Sequence, residues 1–103
     1  MSERLAPDEI EKRLAALRGW SVREGRLHRE LQFPTFAAAF GFMTSVAIEA
    51  QALDHHPDWS NSYTRVTIEL VSHDVQGLTG RDFRLAAKID GLLAGAGTGG
   101  EGG

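Results

Sequence analysis

The stretch YTRVTIELVSH, residues 63–73, decides how this chain folds because it alternates apolar and polar side chains. Three aliphatic residues occupy every second position: Val66, Ile68 and Leu70. A period of two residues is typical of a β-strand with one face toward a core and the other toward polar surroundings. Extending the same parity places His73 with Thr67 and Glu69, on the polar side of the sheet.

The segment after this strand predicts the last helix, from about Thr79 to Leu93. Its inner side carries Leu85, Ile89 and Leu92. Thr79, with Asp82 three residues later, resembles a capping box that has Asp in place of Glu, so spacing alone predicts a capping role for Asp82. Residues 94–103, AGAGTGGEGG, are predicted to form a flexible tail, which leaves residues 1–93 as a single domain.

The segment before the strand predicts a long helix that begins at Pro34 and ends before Pro57. It has two apolar stripes, the first formed by Phe36, Phe40, Met43, Ala47 and Ala50. The second consists of Phe42, Val46 and Leu53. One sheet covers one side of a helix, so the second stripe indicates either self-association or burial under the first helix.

The N-terminal third predicts a short helix followed by a hairpin. The helix begins at Pro7 and has Gly19 as its C-terminal stop. The hairpin turns at Glu24-Gly25, and its second strand has Leu27, Leu31 and Phe33 on one face. Arg29 falls on that apolar face too. The alternation is therefore imperfect, and the sequence does not determine the register of the two strands. The order of elements predicts an α+β domain with a small antiparallel sheet covered by helices.

Composition narrows the class of protein. The chain has 103 residues, of which 42% are hydrophobic and 24% charged, which is typical of one globular domain. A net charge of −3 gives no reason to expect nucleic acid or an anionic membrane as a partner. There is no cysteine, no leader-like segment, and no apolar run of about 20 residues. We therefore expect a cytoplasmic protein without disulfides or thiolate metal sites.

The sequence LDHHPDW, residues 53–59, raises the question of chemistry. Metal binding is not expected, because adjacent histidines diverge and no further ligands occur at a recognisable spacing. Nucleophilic catalysis lacks both a cysteine and a G-x-S-x-G motif. Two interpretations remain: His55, His56 and His73 as acid/base groups, or the pair as a polar cap of the helix, which pattern alone favours. Trp59 fits a core position or stacking on a planar ligand.

Several of these residues together resemble a known signature. ALDHHPDW, Tyr63, His73 and GLTGRD ending at Asp82 strongly resemble the pterin-4a-carbinolamine dehydratases, and the likeness runs from about residue 18 to residue 92. The resemblance implies four antiparallel strands with helices packed on one face, the extra strand coming from the stretch near Trp59. It also implies homo-oligomers: dimers formed by joining sheets, and in some members tetramers built through the long helix.

The activity that the resemblance implies is a hydro-lyase reaction without metal or cofactor. Water leaves a 4a-hydroxytetrahydropterin to give the quinonoid dihydropterin, in the tetrahydrobiopterin recycling that serves aromatic amino acid hydroxylases. One proton goes to the departing hydroxyl and one leaves N5. His55, His56 and His73 would line the pterin site, with His56 and His73 as proton-transfer groups and His55 as binder or auxiliary acid.

Three further residues complete the expected site. Trp59 would border the pterin ring, and Asp82 would orient an imidazole or meet the polar edge of the pterin in addition to capping. Gln51 departs from the family, which commonly has glutamate there. Glutamine accepts a hydrogen bond but cannot hold an imidazole protonated, which implies lower activity or a shifted pH optimum.

Relatives on this fold supply the alternative function, a non-catalytic module. Some act as dimerisation cofactors of a transcription factor, and others assist assembly of a carbon-fixing enzyme, so the fold does not fix the function. The histidine trio favours catalysis, because a scaffold does not need it. His28, on the hairpin among charged residues, is expected to be merely solvated.

Overall fold

The computed structural model describes residues 3–100, with side chains as far as residue 95. Over this range the elements are α1 (Pro7–Leu14), β1 (Ser21–Arg23), β2 (Arg26–Gln32), α2 (Phe36–Leu53), β3 (Asp58–Ser62), β4 (Arg65–Leu70) and α3 (Gly80–Gly100). The strands form one antiparallel sheet in the order β1-β2-β4-β3. The predicted fold class is confirmed, and β3 is the strand expected near Trp59.

Strand β4 lies at the centre of the core, as its alternation predicts. It pairs with β2 on one side and β3 on the other. Its three aliphatic side chains are fully buried: Val66, Ile68 and Leu70. They belong to one cluster with Leu27 of β2 and with Leu85 and Ile89 of α3. The helices therefore cover one face of the sheet, and the other face carries polar and charged side chains.

The hairpin between β1 and β2 shows why its apolar face contains an arginine. The turn residues Glu24 and Gly25 both have positive φ, 52° and 77°, as a tight hairpin turn requires. Arg29 does point to the core side, but its Nη1 donates to Asp90 Oδ1 of α3 at 2.8 Å. Its guanidinium also lies 5.8 Å from the centroid of the Trp20 ring. The charge is thus paired rather than buried alone.

Gly19 does not stop α1, contrary to the sequence prediction. The helix ends at Leu14, and Gly19 lies further along with φ at +82°. A Cβ at this position would lie 2.7 Å from Arg29 Cζ. Glycine is therefore required here because the backbone passes close to the paired guanidinium.

The second apolar stripe of α2 is the one that faces the core. Phe42 and Val46 are buried together with Ala39 and Ala50, and α2 packs against α3. Phe36 and Phe40, in the first stripe, are exposed. Among helices in the described range, α2 is long and apolar enough to cross a membrane, but its buried face is part of the domain core.

Helix α3 continues past Leu93 to Gly100, whereas the glycine content predicted a flexible tail from residue 94. Glycine lowers helix propensity but, unlike proline, does not prevent the helical conformation. The prediction for residues 101–103 concerns positions outside the described residues.

Candidate active site

The backbone at the end of α2 sets the position of the histidine pair. Asp54 takes the left-handed conformation at φ 53°, and the His55 amide donates to Ala50 O at 3.1 Å. This Schellman arrangement ends the helix at Leu53, before Pro57 is reached. In the described part of the chain, neither imidazole of the pair bonds a backbone carbonyl of α2. The side chains therefore do not form the polar cap that the pattern alone favours.

His55 is buried, 7% exposed, and is held by the first turn of α3. Its Nε2 lies 2.6 Å from Asp82 Oδ1. The other oxygen of Asp82, which is fully buried, accepts from Thr79 N at 2.9 Å and Ser72 Oγ at 2.8 Å. Thr79 Oγ1 in turn accepts from Arg81 N at 3.1 Å. Asp82 therefore completes the capping box and also fixes an imidazole.

His56 is exposed and turns back toward α2. Its Nε2 lies 3.4 Å from Gln51 Oε1. Gln51, which the resemblance led us to expect as a site residue, is therefore the hydrogen-bond partner of one of the three histidines. An amide oxygen accepts from the ring but supplies no negative charge.

His73 lies in the tight loop closed by the bridge between Ser72 and Gly77, beyond the end of β4. Its side chain is 66% exposed, and its Nε2 lies 3.1 Å from Asp58 Oδ2. Asp58 is the first residue of β3 and follows His56 by two positions, which limits their Cα separation to about 7 Å. Asp58 therefore connects the two parts of the predicted site that are distant in sequence: it bonds His73 and lies two residues after His56.

The three rings share one chemical feature. Nε2 of each contacts an oxygen: a carboxylate for His55 and His73, an amide carbonyl for His56. Ionised carboxylates and amide oxygens only accept, so Nε2 carries the proton in each ring. Within the described residues no hydrogen bond occupies Nδ1 of these rings, and Nδ1 is left to exchange a proton with a substrate.

Trp59 does not line the cleft that is found beside His73. Trp59 pairs with Ile68 in the register, and its ring packs partly buried against the core. A cleft of about 340 Å³, near the lower end for small-molecule sites, opens beside His73. Its lining residues are Glu24, Gly25, Arg26, Val71, His73 and Gln76. His55 and His56 are not among them, and binding of a ligand by Trp59 stays a prediction.

Comparison with known proteins identifies the family. The family model for pterin 4 alpha carbinolamine dehydratase matches residues 3–92. The chain belongs to this family. A Solibacter usitatus protein provisionally named pterin-4-alpha-carbinolamine dehydratase is 50% identical over 95 residues, which cover 92% of this chain and all of that protein. A protein of the same provisional name from Paraburkholderia xenovorans is 48% identical, covering 91% of this chain and all of its own length.

Two solved structures resemble this member of the dehydratase family. A Brucella melitensis crystal structure of a transcriptional coactivator/pterin dehydratase has a TM-score of 0.85 and 38% identity, covering 87% of this chain and 98% of that one. A pterin dehydratase-like RuBisCO assembly factor of the alpha-carboxysome has a TM-score of 0.58 and 20% identity. It covers 71% of this chain and 84% of its own, and shares the fold alone.

Sequence reasoning missed several residues of this family member's site. Asp58 and Ser72, the partners of His73 and Asp82, were not predicted, although the parity of β3 would have placed Asp58 on the open face. The prediction for His28 was wrong: it is 8% exposed, with Nδ1 2.9 Å from Glu69 Oε2 and Nε2 3.2 Å from Glu30 Oε2. Its neighbours on the open sheet face cover it.

Proposed function

We propose that this chain dehydrates a 4a-hydroxytetrahydropterin to the quinonoid dihydropterin, using histidine side chains as acid and base. Membership of the dehydratase family supports this reaction class. The observation that carries the proposal is that two of the three imidazoles are each paired with a carboxylate, His55 with Asp82 and His73 with Asp58. A carboxylate partner stabilises the positive charge that an imidazole acquires when it is protonated.

The reaction asks for two proton movements and no change of oxidation state. A proton delivered to the 4a-hydroxyl lets it leave as water, and removal of the N5 proton completes the double bond. His56 and His73, which are exposed, exchange these protons through Nδ1. His55, buried against Asp82, holds the substrate or serves as an auxiliary acid. Proton transfer of this kind contributes about 10²–10⁴-fold to a rate.

The cellular role follows from the chemistry of the substrate. Hydroxylases of aromatic amino acids release the hydroxylated pterin, so the proposed place is tetrahydrobiopterin recycling in the cytoplasm. We propose a homo-oligomer, dimer or tetramer, because Phe36, Phe40 and Ile48 leave an apolar side of α2 exposed. The proposed proton transfers require no metal or cofactor.

A direct assay tests the activity. The purified protein is expected to accelerate dehydration of a 4a-hydroxytetrahydropterin, followed by absorbance, with and without a chelator. His56→Ala and His73→Ala should each lower the rate about a hundredfold, and His28→Gln, outside the trio, should retain it. Full activity in the His56/His73 double variant, or loss of activity with the chelator, would contradict the mechanism.

A second function is suggested by the Brucella melitensis relative, which is named both coactivator and dehydratase. The same fold would then act as a binding module. In a strain lacking this gene, a His56/His73 double variant without dehydratase activity separates the two functions. If expression of the double variant restores the phenotype of the unaltered strain, the protein has a binding role. If it does not, catalysis is the function that the strain requires.

A further inference from the structure

Asp58 is shared between His73 and an arginine to which sequence analysis gave no role. Its Oδ2 lies 3.1 Å from His73 Nε2 and accepts from Arg26 Nη1 at 3.0 Å. The three side chains come from separate elements: β3, the loop after β4, and the start of β2. One carboxylate oxygen therefore links the imidazole of a loop histidine to the sheet.

Arg26 is itself fixed by the sheet. Its Nη1 lies 3.7 Å from Glu69 Oε1, while the other oxygen of Glu69 bonds His28 Nδ1 at 2.9 Å. The register pairs Asp58 directly with Glu69, so Arg26 lies against two carboxylates on neighbouring strands. Arg26 also lines the cleft beside His73. The direction of the Asp58 carboxylate is thus set by hydrogen-bonded strands rather than by the loop that it contacts.

We propose that Asp58, held in place by Arg26, is a positioning residue that fixes the tautomer and orientation of His73 for proton transfer. This rests on the proposed dehydratase function. The carboxylate keeps the proton on Nε2 and leaves Nδ1 for the substrate, as Asp82 does for His55. Two imidazoles of the proposed site, His55 and His73, are then each held by a carboxylate, and His56 is held by the Gln51 amide.

The exposure of these groups indicates that their contacts serve orientation more than stability. The side chains of Arg26, Asp58 and His73 are 37%, 47% and 66% exposed. Exposed ion pairs contribute little to folding, since water and salt screen them. Loss of Asp58 should therefore change turnover while the thermal unfolding midpoint stays close to that of the unaltered protein.

The kinetic test uses Asp58→Ala, Asp58→Asn, His73→Ala and the double variant Asp58→Ala/His73→Ala. Asp58→Ala is expected to lower kcat about tenfold with KM within twofold, because a misplaced proton-transfer group affects the chemical step. Asp58→Asn, which keeps an acceptor, should recover part of the loss. In the His73→Ala background the Asp58→Ala change should have no further effect, since residues that act as a unit are not additive.

Matched controls come from the same region. Asp74 is adjacent to His73 but pairs with Arg81 Nη2 at 2.7 Å, a hydrogen bond that lowers the pKa of Asp74 below its usual value. Asp74→Asn should leave kcat unchanged. Arg26→Gln should lower kcat, whereas Arg23→Gln, its cross-strand neighbour on β1, should not. Equal losses in the control and test variants would overturn the proposal.

A spectroscopic measurement is independent of turnover. Long-range ¹H–¹⁵N spectra should show neutral His73 almost wholly as the Nε2–H tautomer, and Asp58→Ala should lower that population toward the distribution of a free histidine side chain. An unchanged tautomer, or the same kcat loss in the His73→Ala background, overturns the role of Asp58. If the unaltered protein lacks dehydratase activity while Asp58→Ala still changes the His73 tautomer, the proposed reaction is overturned. The orientation of His73 by Asp58 is then established independently of it.

Discussion

At the scale of single residues, Asp82 joins the start of a helix to the candidate site. One oxygen accepts from Thr79 N and Ser72 Oγ, and the other bonds His55 Nε2. A fully buried carboxylate needs such partners, because an unpaired buried charge is strongly destabilising. Asp82 thus performs the capping role predicted from spacing, and its bond to His55 supports the orienting role that the resemblance implies, which stays a prediction.

Asp82→Asn separates these roles when it is compared with Thr79→Ala. The amide removes the charge that faces His55, and we expect about 2 kcal/mol lower free energy of unfolding and at least a tenfold lower dehydration rate. Thr79→Ala removes the hydroxyl cap but keeps the amide that bonds Asp82, so it should cost about 1 kcal/mol and leave the rate unchanged. Urea unfolding and the absorbance assay measure both. Parallel rate losses in the two variants would contradict the orienting role.

Gln51→Glu tests the departure from the family pattern. In the proposed mechanism His56 transfers a proton, and a carboxylate beside it would favour the protonated ring, so one limb of the pH–rate profile should move toward higher pH. Ala52→Glu adds the same charge to an exposed neighbouring position that faces another direction on α2, and should leave the profile unchanged. A profile that is identical in all three proteins would exclude Gln51 as a tuning residue.

The sequence pattern predicted the side of the sheet that a side chain faces when one strand alone determines it. His73 follows from the parity of β4, and it does reach the open side to bond Asp58. Asp58 and His28 depend on which strands are neighbours, which a pattern within one strand does not contain. His28 is buried by Glu69 and Glu30, and Glu69 lies 41 positions away in sequence.

At the scale of elements, the strongest periodicities gave the most accurate predictions. Strand β4 and the inner side of α3 formed as predicted, because burial on one face imposes a regular pattern. Strand β3 was not detected from the residues, since DWSNS is short and mostly polar, and it forms by pairing with β4. Helix α1 ends early at Leu14, yet Leu17 still packs against the core without a helical backbone.

Gly19→Ala tests the close approach of the Gly19 backbone, in the segment after α1, to the Arg29 side chain of strand β2. The added Cβ would lie 2.7 Å from Arg29 Cζ, and Arg29 cannot move without losing its contacts with Asp90 and Trp20. We expect a loss of about 2 kcal/mol in the free energy of unfolding. Gly25→Ala has a similar positive φ but open space around it, so it should cost only about 1 kcal/mol. Equal losses in urea unfolding would show that crowding against Arg29 is unimportant.

At the scale of the whole molecule, α2 has one side in the core and another side facing outward. Phe36 and Phe40 are 49% and 56% exposed, with ring centroids 5.9 Å apart. The sequence indicated an apolar stripe beyond what one sheet covers, but it could not show which stripe remains outside. That choice depends on how α2 packs against α3.

Phe36→Ser together with Phe40→Ser tests whether this side mediates association. If copies of the chain meet through it, loss of two buried phenyl groups should raise the dissociation constant at least a hundredfold. Sedimentation over a concentration series measures this. As a control, Tyr63→Ser removes an even more exposed aromatic side chain, in the β3–β4 turn, and should leave sedimentation unchanged. Unchanged sedimentation of the double phenylalanine variant would exclude an interface on this side of α2.

The Thr79 amide, bonded to the buried Asp82 carboxylate, makes the integrity of the candidate site around His55 observable in the resting protein. Its hydrogen should exchange with deuterated solvent only when the first turn of α3 opens, an event that also releases His55. The protection factor of this one backbone position would then give the fraction of molecules that are competent before any pterin is added.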